Sequence, residues 1–173
     1  MMARHDEIRQ TWNKVASLYE EKFMHLHLYD ESYDYICKSI SNPGSTILEI
    51  GCGPGNISKY LLSRRPDFDI YGIDNATNMI DLARKNNPSA KFDVMDCRSI
   101  DGLKSKYDGI VCGFCLPYLS ELESHKLIVD SYSLLNTNVL LYISFIDGAR
   151  SKSGYQTVAV GIESMFTIIP KNG

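Results

Sequence analysis

Basic runs, membrane-length apolar stretches and an even set of cysteines are all missing from this sequence, and each absence closes a class of function. The densest basic spot is SRR at 63–65 and the net charge is −3, so no electrostatic footprint favours a nucleic-acid partner. The longest apolar stretch, VLLYISFI at 139–146, falls far short of the roughly 20 residues that cross a bilayer, so no membrane role is expected. The opening MMARHDEIRQTWNKV has no apolar h-region and does not read as a secretory signal. Five cysteines (Cys37, Cys52, Cys97, Cys112, Cys115) cannot all pair within one chain, and they read as reduced thiols of a cytoplasmic protein. What is present suits one domain: 173 residues, 44% hydrophobic and 23% charged, enough for a single sizeable core and too apolar for disorder.

Hydrophobic periodicity orders the chain. Ile8, Trp12, Val15, Ala16, Tyr19 and Phe23 recur at steps of three and four, the stripe of a helix. A second helix is expected over 30–41, with Tyr33, Ile36, Cys37 and Ile40 on one side, ended by Asn42-Pro43-Gly44. STILEI (45–50), FDIYGID (68–74), AKFDVMD (90–96), YDGIVCGF (107–114) and NVLLYISFI (138–146) read as strands. Between them lie a short helix with Ile57, Tyr60 and Leu61, and a helix over 76–86 with Met79, Ile80 and Ala83 inward. Ser120 and Glu123, at capping-box spacing, open a helix expected to bury Leu127, Ile128, Ser131, Leu134 and Leu135. Strands alternating with helices argue for parallel βαβ units, and near-continuous apolar strands suit a sheet covered on both faces. The expectation is one α/β domain over 1–173 with a doubly wound, mostly parallel sheet. It has a helical cap at 1–42, a core at 45–146 and an atypical C-terminal segment at 147–173. In that segment TVAVGIESMFTII leaves room for one extra strand or a small hairpin.

Three glycines stand directly behind the first strand, in ILEIGCGPGN at 47–56. Glycine weakens regular structure, so its concentration there implies close approach to the backbone. A dinucleotide fingerprint, G-x-G-x-x-G, is not met: no glycine stands at the third position, and Pro54 removes a donor that a phosphate would use. A nicotinamide dehydrogenase is disfavoured on that ground. Asp74 ends the second strand, where a carboxylate can accept both hydroxyls of a ribose. Asp96 ends the third and can accept from an exocyclic amine such as adenine's. Backbone approach, ribose acceptor and base-edge acceptor thus recur at one edge of one sheet.

EIGCGPG, GIDNATNMIDLAR, FDVMDCRSI and YDGIVCGFCLPYL resemble, in order and spacing, the motifs of class I S-adenosylmethionine-dependent methyltransferases of the small-molecule branch, over residues 12–146. The resemblance implies a Rossmann-like methyltransferase fold and S-adenosyl-L-methionine as cofactor. It places Gly51, Gly53 and Gly55 along the methionine part, with Glu49 supporting the loop. Asp74 would hold the ribose, with Asn75 and Met79 flanking adenine and Asp96 accepting from its amine beside the Cys97 backbone. Gly113 and Phe114 would line the site near the sulfonium, and Tyr19, in WNKVASLYEEKF, would belong to a helix closing over it. The sequence departs from the family in three places. Ala76 replaces a small hydroxyl residue, leaving Asn75 or Thr77 to cap the helix. Asn136-Thr137-Asn138 replaces a Pro-Gly-Gly turn. The C-terminal segment is short for the two further strands the family adds, so an abbreviated or rearranged sheet end is expected.

Other motifs read as structural. Cys112-Gly113-Phe114-Cys115 is a C-x-x-C, but no helix opens on its first cysteine and no second pair completes a zinc site, so no metal is expected. His25, His27 and His125 read as surface residues, and Tyr29, Tyr33 and Tyr35 as packing for the second helix. Tyr118 follows the fourth strand and reads as an aromatic wall for the acceptor; were a general base needed, it is the first candidate. The activity implied is methyl transfer to an unidentified small molecule by in-line displacement. The alternative is a non-catalytic S-adenosylmethionine-binding module. The sequence is silent on oligomeric state.

Overall fold

A computed structural model describes residues 4–145, 153–159 and 162–166. Strands β1 (Thr46–Ile50), β2 (Asp69–Asp74), β3 (Lys91–Val94), β4 (Tyr107–Gly113) and β5 (Leu135–Ser144) form a fully parallel sheet. Its order is β3-β2-β1-β4-β5. Side chains alternate across the pleat. Ile47, Ile70 and Val111 face one layer, where they meet Tyr33, Ile36 and Leu61. Leu48, Ile50, Ile73 and Ile110 face the other, against Leu127 and Leu134. Two covered faces are why the strands carry unbroken apolar runs, and each fully buried Ile or Leu contributes about 1.5–3 kcal/mol.

The helices are α1 (Arg4–Phe23), α2 (Asp30–Ser39), α3 (Asn56–Arg64), α4 (Thr77–Asn86) and α5 (Glu121–Leu134). Helices α2 and α3 cover the first face and α5 the second. Helix α1 lies on α4, where Ala16, Ala76 and Met79 pack with Trp12 and Tyr19. The capping box of α5 forms as its spacing predicts: Glu123 N–H donates to Ser120 Oγ, and Ser120 N–H to Glu123 Oε2. Strand order reverses between β1 and β4, so the crevice suited to a ligand lies beyond the carboxyl ends of these two strands.

Four expectations are corrected. Neither Asn75 nor Thr77 caps α4. The Ncap is Ala76, and the free N–H groups go instead to the Asp74 carboxylate and to Asn13 Oδ1, which accepts from Asn78 N–H at 2.9 Å. Asn136-Thr137-Asn138 is not a turn ahead of the fifth strand: α5 runs straight into β5, and these residues form a bulge between the Tyr107–Leu135 and Gly109–Leu140 pairs. Ile128 is 40% exposed, since α5 buries only the narrower stripe of Ser124, Leu127, Ser131 and Leu134. Tyr35 is 64% exposed while Tyr33 is buried, because residues two apart on a helix do not share one face.

The short link between β3 and β4 is a 3-10 turn, Cys97–Gly102, whose Ile100 is buried. After β5, strands β6 (Gly154–Ala159) and β7 (Ile162–Phe166) form an antiparallel hairpin separate from the main sheet. Its β7 runs against α1 and the turn at Leu116–Tyr118. The hairpin reading of this segment is met, and the parallel sheet stops at β5 among the described residues. No helix among them is long and apolar enough to cross a membrane.

Gly55 is the Ncap of α3 at φ +80°. A Cβ there would fall 2.4 Å from Asn87 Nδ2, which donates to the carbonyls of Gly55 and Ala83. Gly55→Ala adds left-handed strain and dislodges a buried hydrogen-bonding amide, a loss of about 2–4 kcal/mol that urea unfolding will register.

Candidate cofactor site

The glycine turn is folded onto the end of β2. Gly51 N–H and Cys52 N–H both donate to Ile73 O, at 2.8 and 2.9 Å, and Gly51, Gly53 and Gly55 all take positive φ. Gly53 N–H then donates to Asp74 Oδ2 at 3.0 Å, while Ala76 N–H donates to Oδ1 at 2.8 Å. One carboxylate therefore joins the glycine turn to the N-terminus of α4. Burial pushes the Asp74 pKa up, and backbone donors from Ala76, Gly53 and Asn75 oppose that shift. A carboxylate offers about four acceptor positions, so these bonds leave capacity for hydroxyl donors.

Beyond the strand ends lies a cavity of about 870 Å³, open mouth included. Gly51 and Gly53 line it from the turn; Asp74, Asn75 and Met79 from the end of β2 and α4; Asp96 and Cys97 from beyond β3. Gly113, Phe114 and Tyr118 line it from beyond β4, and Tyr19 from α1. Glu49 and Gly55 do not. Gly55 is needed for packing against α4, and Glu49 is buried under α3.

Sequence reasoning missed His5, Ile8, Arg9 and Trp12, which α1 lays across the opening. Ile8 and Trp12 were legible as an apolar stripe, but a stripe does not say what it covers. Helix α1 is anchored at two points on α4: Asn78 exchanges hydrogen bonds with Asn13, and Asn86 Nδ2 donates to Glu20 Oε1 at 2.6 Å. Trp12 meets Tyr19 and Tyr118 edge-on, with ring centroids 5.4 and 5.6 Å away. Such pairs add about 0.5–1.5 kcal/mol beyond their buried area.

A protein-family model described as a methyltransferase domain matches residues 47–138, over half the chain. The chain belongs to the class I S-adenosylmethionine-dependent methyltransferases. It is 32% identical over 166 residues to the putative methyltransferase 235L of Invertebrate iridescent virus 6, covering 90% of this chain and 60% of that protein. It is 25% identical over 175 residues to a ubiquinone biosynthesis O-methyltransferase of Coxiella burnetii, covering 98% of this chain and 70% of the relative. The chain thus spans 60% of the length of the viral relative. Among solved structures, the DhpI–SAH complex superposes with a TM-score of 0.70 at 13% identity, covering 96% of this chain and 80% of that one. The plantazolicin methyltransferase BpumL in complex with SAH gives 0.67 at 22%, covering 82% and 58%. These two likenesses show the fold.

In this chain the Asp96 carboxylate is already engaged. Arg98 grips it through Nε and a terminal nitrogen, at 2.6–3.1 Å, and the Arg98 N–H donates to Oδ1. Arg98 also reaches Glu123, which pairs with His5 Nε2 at 2.8 Å. The network binds three elements, α1, α5 and the turn after β3, around one end of the cavity. For Asp96, burial raises the pKa but the Arg98 bonds outweigh it, so the carboxyl sits below its ordinary value. Phe114 takes φ +55°, a conformation rare for a bulky residue, and is held by two hydrogen bonds from its N–H to Ser144. Its ring rests on Tyr29 at 5.1 Å, which draws Tyr29 to the site as well as to α2. Tyr118 is half-buried, and burial pushes its phenol well above the ordinary value. It is neutral at physiological pH, which suits a wall or a hydrogen-bond donor better than a base. His25, His27 and His125 are exposed, as expected. Among the described residues, no three His, Cys, Asp or Glu side chains converge to hold a metal ion.

Glu49 sits 1% exposed in the middle strand, accepting from Ser58 Oγ through one oxygen. Its other oxygen has no hydrogen-bond partner among the described residues. Burial pushes its pKa from 4.5 to about 8, against the Ser58 bonds and helped by the charge on Asp74. The folded chain therefore keeps this proton where the unfolded chain has lost it. The stability it contributes is full below pH 4.5 and is lost as pH rises to about 8, at up to about 1.4 kcal/mol per pH unit. Urea unfolding across that window should show the wild type losing stability faster than Glu49→Gln, which cannot ionise; parallel curves would count against it.

Proposed function

We propose that this methyltransferase moves the methyl group of S-adenosylmethionine to a small-molecule acceptor. The observation that carries the reading is the Asp74 carboxylate. It ends β2 beside the switch point of the sheet, is already fixed by two backbone N–H groups, and lines the cavity with acceptor capacity to spare. The residues suit the cofactor. A side chain at Gly53 would find nothing nearer than Tyr19 at 4.0 Å, so the glycine leaves open space on the cavity side. Asp74 would take the ribose hydroxyls, Asn75 and Met79 would flank the base, and Asp96 would offer its remaining acceptor position to the base amine. Gly51, Gly113 and Phe114 would line the sulfonium end.

When bound, the cofactor supplies an electrophilic methyl on a sulfonium, so the protein needs no strong acid or base of its own. The chain's part is alignment and exclusion of water. Phe114 is set rigidly by Ser144 and Tyr29, and the Trp12, Tyr19 and Tyr118 rings stand over the opening. Holding an acceptor in near-attack geometry is worth about 7–11 kcal/mol. The names of the relatives, an O-methyltransferase of ubiquinone biosynthesis and a plantazolicin methyltransferase, support an acceptor of small-molecule or modified-peptide size.

S-adenosylmethionine or S-adenosylhomocysteine at about 100 times its dissociation constant adds roughly 2.7 kcal/mol, a rise in Tm of roughly 5–10 °C. NAD should leave Tm unchanged, and a shift with NAD alone would refute the reading. Asp74→Ala should weaken cofactor binding about ten- to a hundredfold by calorimetry. It should also lower Tm, since two backbone donors lose their acceptor. Wild-type affinity in that variant would remove Asp74 from the site. Release of S-adenosylhomocysteine with an acceptor separates catalysis from mere binding.

A further inference from the structure

The C-x-x-C spacing directs attention to Cys112 and Cys115, but the fold builds a different pair. Cys97 follows β3 and Cys115 follows β4, and their Sγ atoms lie 3.7 Å apart on the wall of the cavity. Both are half-buried and line the cavity, whereas Cys112 is closed into the core at 1% exposure. A disulfide needs sulfurs at about 2.05 Å, so closure draws the two sulfurs together from 3.7 Å. A small oxidant entering the cavity meets Cys97 and Cys115 before it meets Cys112.

We infer that Cys97 and Cys115 form a reversible disulfide with hydrogen peroxide as oxidant, and that the bond weakens cofactor binding; the second half rests on the function proposed above. One sulfur attacks the peroxide O–O bond, giving a sulfenic acid and, after proton transfer, one water. The other sulfur attacks that sulfur, forming the S–S bond and releasing a second water. Two thiols are oxidised and one peroxide is reduced to two waters. A dithiol reductant reverses the step by exchange. Contact with Cys115 and burial hold Cys97 well above its ordinary pKa; Cys115 is raised chiefly by contact with Cys112 and by burial, against the Cys97 contact. Proximity rather than thiolate content therefore drives the reaction, and the resting state is the dithiol.

The bond reaches the cofactor site through Gly51. A Cβ at that glycine would lie 3.3 Å from Cys115 Cβ, so Cys115 rests directly on the glycine turn. Drawing it toward Cys97 displaces the Phe114–Cys115 wall relative to the turn and pulls on the segment carrying Asp96. Couplings of this kind commonly change affinity by about 5–150-fold.

The test treats the reduced full chain with hydrogen peroxide, blocks remaining thiols and maps disulfides by mass spectrometry. A Cys97–Cys115 cross-link in the wild type and in Cys112→Ala, absent in Cys97→Ser, supports the assignment. A Cys112–Cys115 cross-link, or oxidation to sulfinic acids without a cross-link, overturns it. The S-adenosylhomocysteine dissociation constant should rise roughly tenfold on oxidation and return with dithiothreitol. Unchanged affinity in the cross-linked protein overturns the coupling. Reduced protein that binds no S-adenosylhomocysteine refutes the proposed function instead, while the mapping still decides the disulfide.

Discussion

A single carboxylate, that of Asp74, holds the two halves of the cofactor site in register. One oxygen fixes the glycine turn through Gly53 and the other fixes the first turn of α4 through Ala76. Because α4 lacks a side-chain cap of its own, the residue proposed to hold a ribose also serves the start of the helix. The orphan donors at a helix start must be satisfied somewhere, and here they are satisfied from the strand before it. This preorganises Asp74: its position is set by the backbone before any ligand arrives, so little ordering remains to be done on binding.

Over this base sits α1, packed on α4 through Ala16, Ala76 and Met79 and pinned by polar side-chain contacts. Asn13 and Asn86 clip it to α4, and His5 reaches across to Glu123 on α5. Between those clips the helix offers Trp12 and Tyr19 to the cavity. Polar contacts are thus spaced along the helix, with the aromatic rings between them. The rings supply contact area, while the half-exposed polar contacts are individually modest.

The site also concentrates departures from ordinary local preference. Glu49 is a buried acid with one oxygen unpartnered among the described residues, Phe114 is a bulky residue in the left-handed region, and the glycines interrupt regular structure directly behind the central strand. Each is costly in isolation, and their clustering around one crevice is the usual mark of a place where geometry serves a ligand rather than stability.

Most of the fold was legible because its signals are local. Apolar runs marked strands, steps of three and four marked helices, and Ser120 with Glu123 marked a cap; all of these survive in the structure. The glycine turn, Asp74 and Asp96 could be placed at strand ends because a parallel sheet brings those ends to one edge. What stayed hidden depends on residues far apart in the chain. Asn13 capping α4, Arg98 and Glu123 bracketing Asp96, α1 roofing the cavity and Cys97 meeting Cys115 are all encounters between separate elements. Gly55 shows the difference within one motif: its glycine was plain to see, yet its reason is Asn87, thirty-two positions later, rather than a ligand. Local preference is written in neighbouring residues, so the sequence alone determined elements, order and the line of the crevice. Which side chains meet across that line is decided only when packing sets the helices at definite distances, and that was left to the tertiary structure.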